Sequence, residues 1–258
     1  ARFVSPQPWA TMPGLLFAVA GMACAQTAAT NYPSRPVRYI IPFPPGGSTD
    51  PMGRMIATRL TERWGQTVVV DNRPGGNTVI GTEVLARSPP DGYTIGWCGA
   101  SFFSTPSLMT LPYDPIKDFT GATGVSKARS VLVLHPSIPA SNLQEFIALV
   151  KAKPGEFNFG SSGVGTNTHL SGELFNQVTG TKMVHIPYKG SGPVSTDLLG
   201  GRLQLSFQVP ITVIQFINAG RLKPIAVTGD TRLAALPQVP TFKEAGLPNF
   251  GLTSVTVI

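Results

Sequence analysis

The sequence is poor in acid, in histidine and in cysteine. Charged residues make up only 13% of 258 positions, with 13 acids against 20 Lys and Arg and a formal net charge of +7. Its two cysteines, Cys24 and Cys98, have no CxxC pair or His/Cys cluster around them. A zinc-ligand motif, a thioredoxin-like redox motif and a disulfide framework are therefore excluded. The three histidines, His135, His169 and His185, lie far apart in the chain. There is no GxxxxGK[ST], no HExxH, no Gly-x-Ser-x-Gly elbow and no Ser-x-x-Lys, so the local signatures of nucleotide hydrolysis, metalloproteolysis and acyl transfer are missing. No run of eighteen apolar residues occurs, no internal repeat is evident, and no Lys/Arg-rich cluster interleaved with aromatics marks a nucleic-acid surface.

What is present is a globular composition. Apolar residues reach 42%, and 28 glycines with 25 prolines imply many short connections. The length suits one large or two medium domains. Near the start, Leu15 to Ala23 is an apolar run too short to span a bilayer but of signal-peptide length. Ala23-Cys24-Ala25 offers a small-x-small cleavage site, so residues 1–25 are expected to be an export signal and the mature protein periplasmic. A lipid anchor on Cys24 is not expected, because Gly21 stands where a lipobox prefers a branched aliphatic residue. Cleavage removes one positive charge, Arg2, and no acid, taking the net charge from +7 to +6. Cys98 is then the remaining thiol and reads as a small buried apolar residue. Scattered positive charge fits attraction of an anionic ligand.

Along the chain, strands and helices alternate, which predicts an α/β fold of parallel sheets with helical crossovers. Strands are expected at Val37–Ile41, Thr67–Val70, Tyr93–Trp97, Val131–Leu134, Lys182–Ile186, Leu203–Phe207 and Lys223–Thr228. Helices are expected from Pro51, at Val79–Arg87, from Ser141 to about Lys153 with Ser141 and Gln144 as a capping box, at His169–Val178, and up to about Leu199. The first loop, Pro42-Phe43-Pro44-Pro45-Gly46-Gly47-Ser48-Thr49-Asp50, joins a buried strand to a helix start with Pro51 at its first position. Such a start points free N–H groups at an anion. The same geometry also belongs to an ordinary capped turn. A second strand–glycine-rich loop–helix block spans 157–178, with a weaker third at 182–200. Two such blocks in two lobes would place helix N-termini across one cleft, beyond the carboxyl ends of the strands.

The chemistry of that cleft suits binding more than catalysis. Ser48, Thr49, Ser162, Gly163, Gly165 and Thr166 can supply hydroxyl and backbone donors to a carboxylate, each worth roughly 1.5–3 kcal/mol. Taken singly, each is also what caps and tight turns require. Phe43 suits an apolar stem or the core. A Ser162–His169 pair has no identifiable third partner. We therefore expect no enzyme activity, no cofactor and no metal.

The ordered motifs resemble one family. Residues 42–50, Val70-Asp71-Asn72-Arg73-Pro74-Gly75, Pro90-Asp91-Gly92-Tyr93-Thr94, Leu111-Pro112-Tyr113-Asp114-Pro115, Gly160-Ser161-Ser162-Gly163-Val164-Gly165-Thr166, His169-Leu170-Ser171-Gly172-Glu173-Leu174-Phe175, His185-Ile186-Pro187-Tyr188-Lys189-Gly190 and Leu236-Pro237-Gln238-Val239-Pro240-Thr241 are similar to those of the Bug family. These are substrate-binding proteins of tripartite tricarboxylate transporters, and the resemblance runs over about residues 32–254. It implies a two-lobed periplasmic binding protein, type II-like, each lobe a mostly parallel sheet flanked by helices, closing on a small carboxylate. Residues 31–130 plus 232–258 would form the first lobe and 131–231 the second. Ligand groups carried over are Phe43, Gly46, Ser48 and Thr49 from the first loop and Ser162, Gly163, Gly165 and Thr166 from the second. Gln208 joins them, while Tyr188 and Lys189 would shape the cleft. Implied partners are a small carboxylate and the permease subunits, with a sensor kinase as an alternative and a monomer as the expected state.

Three departures from the family pattern matter. Val164 stands where Asn is frequent, removing a polar contact. Gln208-Val209 replaces a frequent Asp-Asn, and loss of the acid disfavours amino-acid ligands. Finally, the family usually continues past Thr253-Ser254 into elements that complete the first lobe, whereas here Val255-Thr256-Val257-Ile258 ends the sequence. The first lobe is therefore expected to be incomplete, and a remnant that binds nothing is a further alternative.

Overall fold

The computed structural model describes residues 32–252 and 254–258. The expected export signal lies outside them. The first lobe is built from β1 (Val37–Ile41), α1 (Thr49–Trp64), β2 (Val68–Asn72), α2 (Val79–Ala86), β3 (Thr94–Gly96) and the short α3 (Ala100–Ser104). Its three strands run parallel in the order β2-β1-β3. Apolar residues at alternate positions of β1, Val37, Tyr39 and Ile41, pack with Ala57 of α1 and with Trp97. This is the period-2 burial of a strand covered by a crossover helix.

β4 (Gly124–Ala128) leads to the second lobe, which comprises β5 (Val131–Leu134), α4 (Leu143–Ala152), β6 (Asn158–Ser161), α5 (Asn167–Thr179), β7 (Val184–Pro187), α6 (Ser191–Leu199), β8 (Leu205–Gln208), α7 (Pro210–Asn218) and β9 (Lys223–Val227). The five strands are ordered β7-β6-β8-β5-β9. β6 is parallel to β7 and β8, whereas β5 is antiparallel to β8 and β9. The sheet is therefore mixed. β5 is apolar throughout because both its faces are covered: Leu132 and Leu134 join Phe146, Phe159, Phe175 and Phe207 on one side, and Val131 and Val133 join Val194, Leu198 and Val213 on the other. Gly172 lets α5 press on this sheet, since a Cβ there would lie 2.1 Å from Cε2 of Phe159. β10 (Ser254–Val257) pairs antiparallel with β4, and Val257 also exchanges backbone hydrogen bonds with Cys98.

Several expectations need correction. Residues 232–258 do not return to the first lobe as one piece. Leu236, Val239, Phe242 and Phe250 lie in the two cores of the five-stranded sheet, with Phe242 and Phe250 ring centroids 4.2 Å apart. These apolar groups are buried there, beside residues of α4 and α5 on one face and of α6 and α7 on the other. Only β10 and Ile258 join the first lobe. The cap of α4 is shifted by one residue: Asn142 accepts from the Glu145 N–H at 3.0 Å, while the Glu145 carboxylate accepts from the Ser141 N–H at 2.7 Å. Pro51 is the third residue of α1, not the first. α3, β4 and β10 show no strong local period and emerge only in the folded chain, whereas α7 carries an amphipathic pattern, with Val213 and Ile217 buried, that sequence reasoning passed over. Among the described residues no helix is long and apolar enough to cross a membrane.

Candidate functional site

A cavity of about 90 Å³ lies between the two lobes. Every residue in its wall is uncharged at neutral pH. What surrounds it is helix starts. The residues that precede the first turns of α1, α5, α6 and α7, namely Ser48, Thr166, Gly190 and Val209, all line it. Only α5 is capped by a side chain, with Thr166 Oγ1 accepting from the His169 N–H at 3.4 Å. No side chain caps α1, α6 or α7. First-turn N–H groups have no i–4 partner within their own helix; here Pro51, Pro193 and Pro210 carry no N–H and the Thr212 N–H donates to the Val209 carbonyl, so each of these starts keeps only part of its donor set for what enters the cavity. At about +0.5 elementary charge per helix start, four converging termini amount to about +2 without a cation. Trp97, Phe43, Met52 and Val209 supply apolar surface in the same wall.

The first loop is held rigid from beneath. The Asp50 carboxylate, buried under the turn, accepts from the Gly46 N–H at 3.2 Å, Arg54 Nε at 3.1 Å and Asn72 Nδ2 at 3.1 Å. Burial on its own would raise the Asp50 carboxyl; these hydrogen bonds outweigh it and hold the group below its ordinary value. Asn72 Nδ2 also donates to the Phe43 carbonyl at 3.0 Å. Among the described residues, two hydrogen bonds cross the cleft: the Ser48 N–H donates to Ser191 Oγ at 2.9 Å, and Ser104 Oγ donates to the Gly165 carbonyl at 2.7 Å. The lobes are thus in contact around the cavity.

Of the residues expected from sequence, Phe43, Ser48, Thr49, Ser162, Thr166 and Gln208 stand in the cavity wall. Gly46, Gly163 and Gly165 stand behind it. Gly46 turns the first loop at φ +79° and donates to Asp50. The Gly163 carbonyl accepts from Thr166 Oγ1 at 2.6 Å, and Gly165 makes the cross-cleft bond. Tyr188 donates to Asp197 at 2.7 Å and Lys189 is exposed; neither lines the cavity. Sequence reasoning missed Ser191, whose Gly190-Ser191-Gly192 setting repeats the loop-to-helix pattern and was the available signal. It also missed Asn167, Thr168, Trp97, Ser126 and Thr256. Ser126 and Thr256 face each other only through the β4–β10 register, across 130 residues of chain, and carry no local signal.

The Ser162–His169 pair does not form. Ser162 Oγ lies 3.1 Å from Thr168 Oγ1, and His169 Nδ1 accepts the Gly165 N–H at 3.0 Å. His185 Nε2 meets Ser161 Oγ at 2.6 Å instead, and the two imidazoles stack 3.9 Å apart. Burial, and then the neighbouring His169, pushes His185 down to about 4; burial also lowers His169, against a weaker opposing pull from Glu173. His169, Glu173 and His185 are the one grouping among the described residues with metal-ligand spacing. A backbone N–H can only donate, so neutral His169 carries its proton on Nε2, facing Glu173 at 3.8 Å. A metal on Nε2 would need the other tautomer and would set two donors against each other at Gly165. The donor set therefore fits a structural hydrogen-bonded pair better than an ion.

Residues 52–258 match the model of the tripartite tricarboxylate transporter family receptor. Protein BugT of Bordetella pertussis is 41% identical over 240 residues, covering 92% of this chain and 73% of that protein. The chain belongs to this receptor family. A solved Rhodopseudomonas palustris protein with adipate is 36% identical with a TM-score of 0.84, over 88% of this chain and 76% of that one. MatC from Rhodopseudomonas palustris with bound malate is 26% identical with a TM-score of 0.81, over 88% and 78%. Family and fold are those of two-lobed periplasmic solute-binding receptors, and the cavity described above occupies the cleft between the lobes.

Proposed function

We propose that this protein is a periplasmic receptor that captures a small carboxylate, a di- or tricarboxylate or an aromatic acid, for the membrane permease of a tripartite transporter. It is exported by residues 1–25 and works as a monomer without cofactor. The observation that supports this is the cavity wall: four helix starts, three of them uncapped, meet there, and no charged side chain does. Such a wall favours an anion and holds no carboxylate to balance a cation. Relatives with adipate and malate support a dicarboxylate. The Ser162–His169 pairing that turnover would use does not form.

The test is a thermal shift and calorimetric titration with mono-, di- and tricarboxylates. A ligand at a hundred times its dissociation constant stabilises the folded state by about 2.7 kcal/mol, a rise of roughly 5–10 °C for a chain of this size. A cooperative melt that no carboxylate moves would overturn the reading.

A further inference from the structure

Among the described residues, two that are not glycine have a left-handed backbone, and they are neighbours: Asn77 at φ +56° and Thr78 at φ +76°. With Gly75 at φ +127° and Gly76 at φ +53° they make four positive φ values in a row between β2 and α2. Asn accepts this conformation better than most side chains, whereas a β-branched Thr does not. Thr78 is also buried, and its Oγ1 has no partner. Strain held at consecutive residues points to a placement that the surrounding structure enforces.

What the turn places is the Asn77 side chain. Thr105 Oγ1 donates to the Ser101 carbonyl at 2.5 Å and accepts from Asn77 Nδ2 at 3.3 Å, which fixes the way the amide faces. The amide then stands against the glycine turn of the second lobe. A Cβ on Gly163 would lie 3.4 Å from Asn77 Oδ1, and one on Gly165 3.6 Å from Asn77 Nδ2. Ser104, next to Thr105, completes this seat through its bond to the Gly165 carbonyl. Asn77 does not line the cavity, but Ser162 and Thr166 of the turn that it meets do.

We propose that Asn77 is a positioning residue for ligand capture: the strained turn 75–78 holds its amide as a fixed stop on the first lobe, and the 162–166 turn of the second lobe seats on it when the lobes meet. This rests on the receptor reading above but not on which acid is bound. The backbone strain is present whether the lobes touch or not, whereas the contact exists only when they touch. Asn77 therefore biases the equilibrium between parted and closed lobes, as a difference in contacts between two states must. It does so without touching the ligand, by setting Ser162 and Thr166 in the cavity wall.

Two variants of the full chain separate placement from stability. Asn77→Gly removes the amide and suits a φ of +56°, so its ligand-free melting temperature should stay within a few degrees of wild type. Asn77→Ala removes the same amide but keeps the backbone strain, so it should melt lower. Calorimetric titration with malate and adipate, and small-angle scattering with and without each acid, read the closure. Both variants are expected to lose about fivefold or more in affinity and to have a larger radius of gyration at saturating acid than wild type. Wild-type radius and affinity within about twofold in Asn77→Gly overturn the proposal and leave the receptor reading standing. A loss confined to Asn77→Ala also overturns it, because it would track stability and not the contact. Should neither acid bind the wild type, the dicarboxylate reading fails separately, and the ligand-free radius decides: expansion in both variants supports the stop, and an unchanged radius overturns it.

Discussion

Gly165→Ala separates lobe closure from folding. Gly165 has φ +73°, and a Cβ there would lie 2.6 Å from Ser104 Oγ and 2.9 Å from Leu108 Cδ1, both on the opposite lobe. Two costs follow, and they fall on different states. The left-handed backbone costs Ala roughly 1–2 kcal/mol whether the lobes touch or not. The clash exists only when they meet, and overpacking of this kind costs typically about 1–3 kcal/mol, since side-chain ends can shift. Parting far enough to relieve it also loses the 2.7 Å Ser104–Gly165 hydrogen bond, about 1 kcal/mol. Ligand lies between the lobes, so the second cost falls on binding and amounts to about 5- to 150-fold in affinity. Gly180→Ala is the control: it has φ +66° at the end of α5, and nothing lies within 4 Å of its Cβ. Calorimetric titration and small-angle scattering with and without ligand read the difference. Both variants should lose similar stability when ligand-free, and only Gly165→Ala should lose affinity and ligand-induced compaction. A folded Gly165→Ala protein that binds within about twofold of wild type would show that the Ser104–Gly165 contact is not part of the bound state.

Asp50→Ala removes the acceptor shared by Gly46, Arg54 and Asn72. It should cost about 1–3 kcal/mol of stability and loosen the first loop, so that affinity falls with it; a denaturant melt and a titration check this, and an unchanged affinity would mean that the loop is held by its prolines alone. Between pH 6 and 8, affinity should stay flat within about twofold, because no titratable group lines the cavity; it should fall only toward the carboxylate range near pH ~4, and a step near pH 6.5 would implicate His169 or His185. Stability behaves differently. His185 is held near 4 in the folded state against an ordinary value of 6.5, so the unfolded chain takes up a proton first as pH falls. The stabilisation is complete above 6.5 and lost between 6.5 and 4; His185→Gln should flatten that part of a melting-temperature profile. Gly172→Val places side-chain atoms inside the ring of Phe159 and should lower the melting temperature by many degrees or abolish folding, read by circular dichroism.

The donors of the first loop were legible because they are local. The run from Val37 to Thr49 contains strand, loop and helix start in one short stretch, and β1 and β5 fall where their apolar runs place them. Thr166 and Ser162 were legible for the same reason. Gly46, Gly163 and Gly165 share the motif, and the motif does not distinguish a residue that faces the cavity from one that shapes the turn behind it. That distinction depends on which way each turn faces after the lobes meet. The antiparallel setting of β5 and the packing of 236–250 on the second sheet were hidden because strand direction and core membership depend on partners far away in the chain.

An α/β chain with helix starts rich in glycine and hydroxyls, few charges and a family pattern of ordered motifs can be read from the residues without coordinates. These features follow from short-range periodicity and turn chemistry. Folding in three dimensions is what makes four helix starts share one cavity and brings Ser126 and Thr256 into its wall through β4 and β10. The physical reason is distance along the chain: residues from Phe43 to Thr256 meet there, and which buried polar atoms find partners depends on packing, not on neighbours in sequence.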